Sequence, residues 1–129
     1  MSTLEHVNLT VKNPQQTADL LCTLFDWTIR WSGKSMNGGD TIHVGEAEDG
    51  ASYLALYAPP KLAESKQLNS SQLGHLNHIA VVVDDLDVVE QRAKSEGFAT
   101  FNHGDYHPGR RFYLQLSDEI EAEVVTYQA

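Results

Sequence analysis

Two histidines, His6 and His78, are the residues of this sequence best suited to chemistry. Each begins a short segment with strand-like alternation, His-Val-Asn-Leu-Thr-Val in one case and His-Ile-Ala-Val-Val-Val in the other. Imidazole binds divalent metals and transfers protons near neutral pH. A single histidine at the start of a strand is usually only solvated or hydrogen-bonded. The repetition of the pattern is therefore what raises the question of a shared metal site.

The elements that would position these histidines are predicted by capping residues and by alternation. Alternation places His6 and Asn8 on one polar strand face, opposite an apolar face that we expect to pack on a helix. Asn13, followed by proline, predicts the N-cap of that helix, and Asp85 predicts a second N-cap 72 positions later. Gly97 predicts the end of the second helix.

The second half of the chain repeats the first. We predict one domain over residues 1–129, built from a β-α-β-β-β module at 1–57, a polar, serine-rich linker at 58–74 and a second module at 75–129. The predicted strands of the first module cover residues 4–11, 27–31, 41–44 and 53–57.

Residues on the third strand of each module are candidates for catalysis. His43 and Tyr113 occupy equivalent positions on the polar face, where they could act as acids, bases or orienting donors. The alternative is that both only fill the wall of a cleft. After the second helix, a loop rich in polar donors is predicted that could contact an anionic substrate or simply be solvated. It includes His103, Tyr106, His107, Arg110 and Arg111.

Composition limits the classes of partner. The formal net charge of −9 disfavours nucleic acid and anionic membranes, which reward a basic surface. The sequence has no apolar run of bilayer length and no signal peptide at its start. The lone Cys22 cannot form a disulfide within the chain. We therefore expect a cytoplasmic protein whose partner is a small molecule.

At these residues the chain resembles the vicinal oxygen chelate superfamily, which includes glyoxalases, bleomycin-resistance proteins and extradiol dioxygenases. The resemblance covers nearly the whole chain. It rests on His6, His78, the Val83 to Asp87 helix entry, the Gly97-Phe98 helix exit and the Gly109 to Tyr113 strand that leads to Glu123. It implies an α+β fold in which two βαβββ modules form a cupped mixed sheet around a cleft. It also implies a homodimer, in which His6 could meet the other ligands of its own chain or of a partner.

The resemblance further implies a divalent metal ion, such as Fe, Mn, Zn or Ni. Its ligands would be His6, His78 and a glutamate of the last strand. Counting without gaps along that strand gives Glu123, whereas a shifted local match gives Glu121. Alternation places both glutamates on the same face and cannot choose between them, and we take Glu123.

The first module departs from the four-ligand pattern of the family. Ala55 or Tyr53 stands where a second glutamate would be, which leaves two imidazoles and one carboxylate. Such a triad keeps coordination positions open for a bidentate substrate. It is typical of the three-ligand branches, which include extradiol dioxygenases and fosfomycin-resistance transferases.

The implied activity is that of a metal-dependent lyase or isomerase, dioxygenase or transferase acting on a small oxygenated metabolite. The alternative is a metal-free protein that sequesters a drug or metabolite. The candidate substrate-binding residues are Asn8, Tyr53, Arg110 and Arg111. Asn8 stands where fosfomycin enzymes have a threonine, which argues against that substrate.

Overall fold

A computed structural model of the chain describes residues 2–47, 50, 52–63, 71–106, 109–116 and 120–128. The chain forms two compact units, Met1–Glu64 and Ser65–Ala129. Each unit has the order β-α-β-β-β that the repeat predicts. Part of the predicted linker, residues 64–70, lies outside the described residues.

The first unit has one helix and a mixed sheet of four strands. Its elements are β1 (His6–Thr10), α1 (Pro14–Phe25), β2 (Thr28–Lys34), β3 (Asp40–Gly45) and β4 (Tyr53–Ala58). The strand order is β1-β4-β3-β2, with β1 parallel to β4 and the other pairs antiparallel. Helix α1 begins as predicted, because the side chain of Asn13 accepts a hydrogen bond from the backbone N–H of Gln16. Strand β2 runs to Lys34, three residues past its predicted end.

The second unit repeats this arrangement. Its elements are β5 (Ile79–Val82), α2 (Leu86–Ser95), β6 (Thr100–Tyr106), β7 (Gly109–Gln115) and β8 (Glu121–Thr126). The strand order is β5-β8-β7-β6, and β5 is parallel to β8. Asp85 caps α2, and Gly97 follows the helix with φ of 91°. The N–H of Phe98 then bonds the carbonyl of Ala93, which completes a Schellman motif.

Equivalent strands are paired in the same register in the two sheets, and this identifies the residue of the first unit that corresponds to Glu123. His43 of β3 pairs with Ala55 of β4, just as Tyr113 of β7 pairs with Glu123 of β8. Since His43 and Tyr113 are equivalent in the repeat, Ala55 rather than Tyr53 occupies the position of Glu123.

The prediction of a polar loop after the second helix is wrong, because His103 and Tyr106 lie in β6 and Arg110 and Arg111 lie in β7, which pairs with it. Its polar residues belong to strands: β6 is an edge strand with an exposed face, and Arg110 and Arg111 alternate between the two faces of β7. A bulge between Phe101 and Gly104, with Asn102 at φ of 52°, interrupts the alternation that would have indicated a strand. His107 lies outside the described residues, as do residues 117–119 of the turn before β8.

Each unit buries the apolar face of its helix against one face of its sheet. The buried side chains include Leu21, Leu24, Val44 and Leu56 in the first unit, and Val89, Phe112, Leu114 and Val124 in the second. The opposite sheet face is therefore the one that carries polar side chains. Among the described residues, no helix is long and apolar enough to cross a membrane.

Candidate functional site

The second unit brings His78 and Glu123 together. His78 directly precedes β5, which lies parallel to β8 and beside it. Its Nε2 is 3.1 Å from Oε1 of Glu123, and Nη1 of Arg111 is 3.0 Å from Oε2 of the same carboxylate. The side chains of Glu123 and Arg111 are only 11% and 14% exposed. Glu123 is thus a nearly buried carboxylate between an imidazole and a guanidinium.

The position of Glu123 on the central strand explains these contacts. It pairs with Ala80 of β5 on one side and with Tyr113 of β7 on the other. Glu121 lies at the beginning of β8, opposite Gln115. Of the two glutamates that alternation could not separate, Glu123 is the one whose carboxylate lies against His78.

Both histidines are held in the same way by the residue before them. Nδ1 of His6 lies 2.9 Å from Oε1 of Glu5, and Nδ1 of His78 lies 2.8 Å from Oδ1 of Asn77. Because these oxygens only accept hydrogen bonds, Nδ1 is the donor in each pair. In the neutral imidazole this arrangement leaves the lone pair on Nε2. Oxygen acceptors that hold Nδ1 in this way commonly orient metal-binding histidines.

Sequence reasoning missed Glu5 and Asn77. They are 72 positions apart, the same offset that relates His6 to His78. An oxygen-bearing side chain directly before each strand-leading histidine was therefore a signal that the repeat could have supplied.

In the first unit, aromatic rings gather around His6. The ring of Tyr53 stacks on that of His6 with centroids 4.9 Å apart, and His43 lies 4.6 Å from Tyr53. Trp31 lies 5.0 Å from His43, and the guanidinium of Arg30 lies 4.5 Å above the Tyr53 ring. Trp31 remains 49% exposed. These side chains form a face on which a planar or apolar ligand could stack.

The electrostatics of this ring cluster follow from its neighbours. Burial lowers the pKa of His43, and the nearby His6 and Arg30 act in the same direction. Hydrogen bonds from His6 and from the Tyr53 hydroxyl hold the pKa of Glu5 below its usual value. Glu5 therefore remains an acceptor for both groups at neutral pH.

The remaining predicted site residues lie in different places. Tyr113 meets His78 edge-on, with ring centroids 5.7 Å apart. Asn8 is exposed on β1, opposite Ala55 of β4. Arg110 belongs to the helix side of β7, where its Nη2 lies 2.9 Å from Oδ1 of Asp87.

A second polar group, next to Arg110, ties α2 to β6. Nε2 of His103 lies 2.6 Å from Oε2 of Glu90, which also accepts a hydrogen bond from Thr100. This group and the Arg110–Asp87 pair lie on the opposite side of the sheet from Glu123. The structure therefore separates the two neighbouring arginines, which the sequence had placed in one loop.

The pair of His78 and Glu123 suits a divalent cation, since imidazole nitrogens and carboxylate oxygens are ligands for Mn, Fe, Zn and Ni. Among the described residues, no group of three His, Cys, Asp or Glu side chains has the geometry of a metal site.

Comparisons with solved structures indicate the fold. A glyoxylase/bleomycin resistance protein/dioxygenase domain from Frankia sp. EAN1pec is 21% identical, with a TM-score of 0.78 and 98% of each chain covered. A variant of the fosfomycin resistance protein FosX from Listeria monocytogenes, solved with Mn(II) and 1S,2S-dihydroxypropylphosphonic acid, is 20% identical. Its TM-score is 0.72, with 96% of this chain and 91% of that chain covered.

A third similar structure is TnmS3, an antibiotic-binding protein from Streptomyces sp. CB03234. It is 14% identical, with a TM-score of 0.72, and 98% of this chain and 96% of that chain are covered. At such identities these likenesses show the fold alone. No curated protein sequence matches the chain.

A family model provides the stronger assignment. It matches residues 5–114, a segment that includes both histidines and ends before Glu123. The match spans most of the chain, in agreement with the repeated histidine-led modules and with the sheet topology. The protein therefore belongs to the Glyoxalase/Bleomycin resistance protein/Dioxygenase superfamily.

Proposed function

We propose that this protein is a divalent-metal-dependent enzyme of glyoxalase or dioxygenase type, acting on a small oxygenated metabolite. The proposed ligands are His6, His78 and Glu123. One observation carries the proposal: both histidines donate from Nδ1 to the side chain before them, which leaves Nε2 as the metal-binding nitrogen.

The contact between His78 and Glu123 supports the same conclusion. A lone pair on Nε2 and a carboxylate oxygen 3.1 Å apart repel each other unless a proton or a metal cation lies between them. A divalent ion there would satisfy both groups. When bound, it would supply a Lewis acid that polarises an oxygen of the substrate.

Other residues of the chain would bind and orient that substrate. We propose that His43 and Tyr113, at equivalent positions on the third strands, donate hydrogen bonds to substrate oxygens or transfer protons at them. Asn8 and Tyr53 are the proposed contacts on the first unit. Arg110 is left out, because its guanidinium pairs with Asp87 on the helix side of β7.

The test is a titration of the purified protein with Mn(II), in which the EPR signal of the free ion reports how much metal is bound. The wild-type protein should bind one ion per chain. His6→Ala and His78→Ala should each weaken binding by roughly 100-fold or more, because residues that only orient a ligand already contribute 10- to 100-fold. His103→Ala is the matched control, because His103 contacts Glu90 on the other side of the sheet. A wild-type protein that binds none of Mn(II), Fe(II), Zn(II) or Ni(II) would contradict the proposal.

A second candidate function is metal-free sequestration of a drug or metabolite. The ring cluster of the first unit supports it, and the structurally similar TnmS3 is named as an antibiotic-binding protein. Bleomycin is a suitable probe, and quenching of the exposed Trp31 in the presence of EDTA is the readout. Saturable quenching that His78→Ala leaves unchanged would favour this function over the metal-dependent one, because His78 is a proposed metal ligand that lies outside the ring cluster.

A further inference from the structure

The two carboxylate oxygens of Glu123 have different neighbours. Oε1 faces Nε2 of His78, whereas Oε2 accepts a hydrogen bond from Nη1 of Arg111 at 3.0 Å. Glu123 and Arg111 are both nearly buried. A buried carboxylate is strongly unfavourable unless another charge compensates it, so the Arg111 guanidinium is a major determinant of how Glu123 is held.

The backbone register dictates this pairing. Tyr113 is directly opposite Glu123, and Arg111 lies two residues before Tyr113 on the same face of β7. Arg111 is therefore the diagonal cross-strand neighbour of Glu123, within reach of a long side chain. His78 approaches the same carboxylate from β5, on the other flank of β8.

The first unit has neither the carboxylate nor the guanidinium of this pair. Ala55 stands at the position of Glu123, and the repeat places Thr41 at the position of Arg111. Thr41 is itself 9% exposed. The same sheet topology therefore forms without either charge in the first unit and with both charges in the second. This indicates that Arg111 serves to compensate the carboxylate of Glu123 and is not required by the sheet itself.

We propose that Arg111 is a resident counter-cation: it compensates and positions Glu123 in the metal-free chain, and a divalent ion bound by His78 and Glu123 takes over that compensation. This rests on the proposed function. Arg111 holds Oε2, so Oε1 is the oxygen offered to the ion. The guanidinium and the ion also repel each other. Each cation therefore reduces the stabilisation gained from the other, as linkage between two sites requires.

The experiment compares wild type with Arg111→Met by thermal unfolding in EDTA and by Mn(II) titration. Without metal, Arg111→Met should lower the melting temperature by roughly 10 °C or more, because it leaves a buried carboxylate uncompensated. With Mn(II), the variant should gain more in melting temperature than the wild type does, and it should bind the ion roughly tenfold tighter. A merely structural ion pair would produce the first effect without the second.

Arg110→Met is the matched control. It removes the adjacent arginine from the same strand, but its partner Asp87 is 73% exposed and lies on the other face of β7. Both melting temperature and Mn(II) affinity should stay close to wild type.

The outcomes separate the two proposals. A wild-type protein that binds no Mn(II) would overturn the proposed function, and this inference with it. If the wild type binds Mn(II) but Arg111→Met binds it equally or more weakly, only this inference is overturned.

A variant that does not fold in EDTA still gives an answer. If Arg111→Met is unfolded without metal, the double variant with Glu123→Gln should fold, because the charge that needed compensation is gone. A double variant that also fails to fold would overturn the proposal.

Discussion

Replacing Glu5 or Asn77 with alanine should weaken metal binding without removing a ligand. Each side chain fixes Nδ1 of the following histidine, at 2.9 Å and 2.8 Å respectively, and so directs Nε2 toward the proposed ion. Side chains that hydrogen-bond a metal-binding histidine in this way contribute roughly 10- to 100-fold in metal affinity. Both side chains are exposed, so we expect the lower end of that range, about tenfold for Glu5→Ala and somewhat less for the uncharged Asn77.

Glu5→Gln provides a finer test of the same reasoning. It retains an acceptor oxygen, as Asn77 does naturally beside His78, so its Mn(II) affinity should lie between those of wild type and Glu5→Ala. Glu96→Ala is the control for the lost charge, because Glu96 is exposed at the end of α2. Affinities come from EPR titration, with thermal unfolding as the check on folding. Folded Glu5→Ala and Asn77→Ala proteins with wild-type affinity would refute the orienting role.

Two further predictions concern stability. Burial raises the pKa of Glu90, but hydrogen bonds from His103 and Thr100 outweigh it and leave that pKa below the ordinary value of 4.5. The ionised Glu90 therefore stabilises the folded state above pH 4.5, and this stabilisation is lost as pH falls through the folded-state pKa. Wild type should accordingly lose more stability on acidification than Glu90→Gln does. Equal slopes of melting temperature against pH for the two proteins would contradict this. Gly97 has φ of 91°, so Gly97→Ala should lower the free energy of unfolding by about 1–2 kcal/mol and the melting temperature by several degrees. Gly97→Asn should be less destabilising, because asparagine adopts positive φ more readily than alanine. An unchanged melting temperature for Gly97→Ala would contradict this prediction.

Much of the fold follows from local signals in the sequence. Asn13 and Asp85 mark the beginnings of the helices because each offers a side-chain acceptor to the first turn. Gly97 marks the end of the second helix because it adopts a positive φ with little strain. The β-α-β-β-β repeat then gives the order of the remaining strands. The position of β6 was not predicted, because a bulge and its location at the edge of the sheet remove the alternation on which strand prediction depends.

The candidate site was only partly predictable. Alternation places Glu121 and Glu123 on one face, and only the side-chain contact in the structure shows that the carboxylate of Glu123 lies against His78. Arg110 and Arg111 were also assigned to a polar loop, although strand alternation over Gly109 to Tyr113 places them on opposite faces. Contacts of this kind depend on how the strands are aligned with one another. Tertiary packing sets this register, and the residue pattern of a single strand does not reveal it.

The central claim is that the repeated histidines serve one divalent ion. The most direct measurement is metal analysis of the protein as purified, without added metal or chelator, expressed as a metal-to-chain ratio. We expect a ratio near one for wild type and a large loss in Glu123→Gln. A ratio near zero for wild type, unchanged after incubation with Mn(II), Fe(II), Zn(II) or Ni(II), would contradict it.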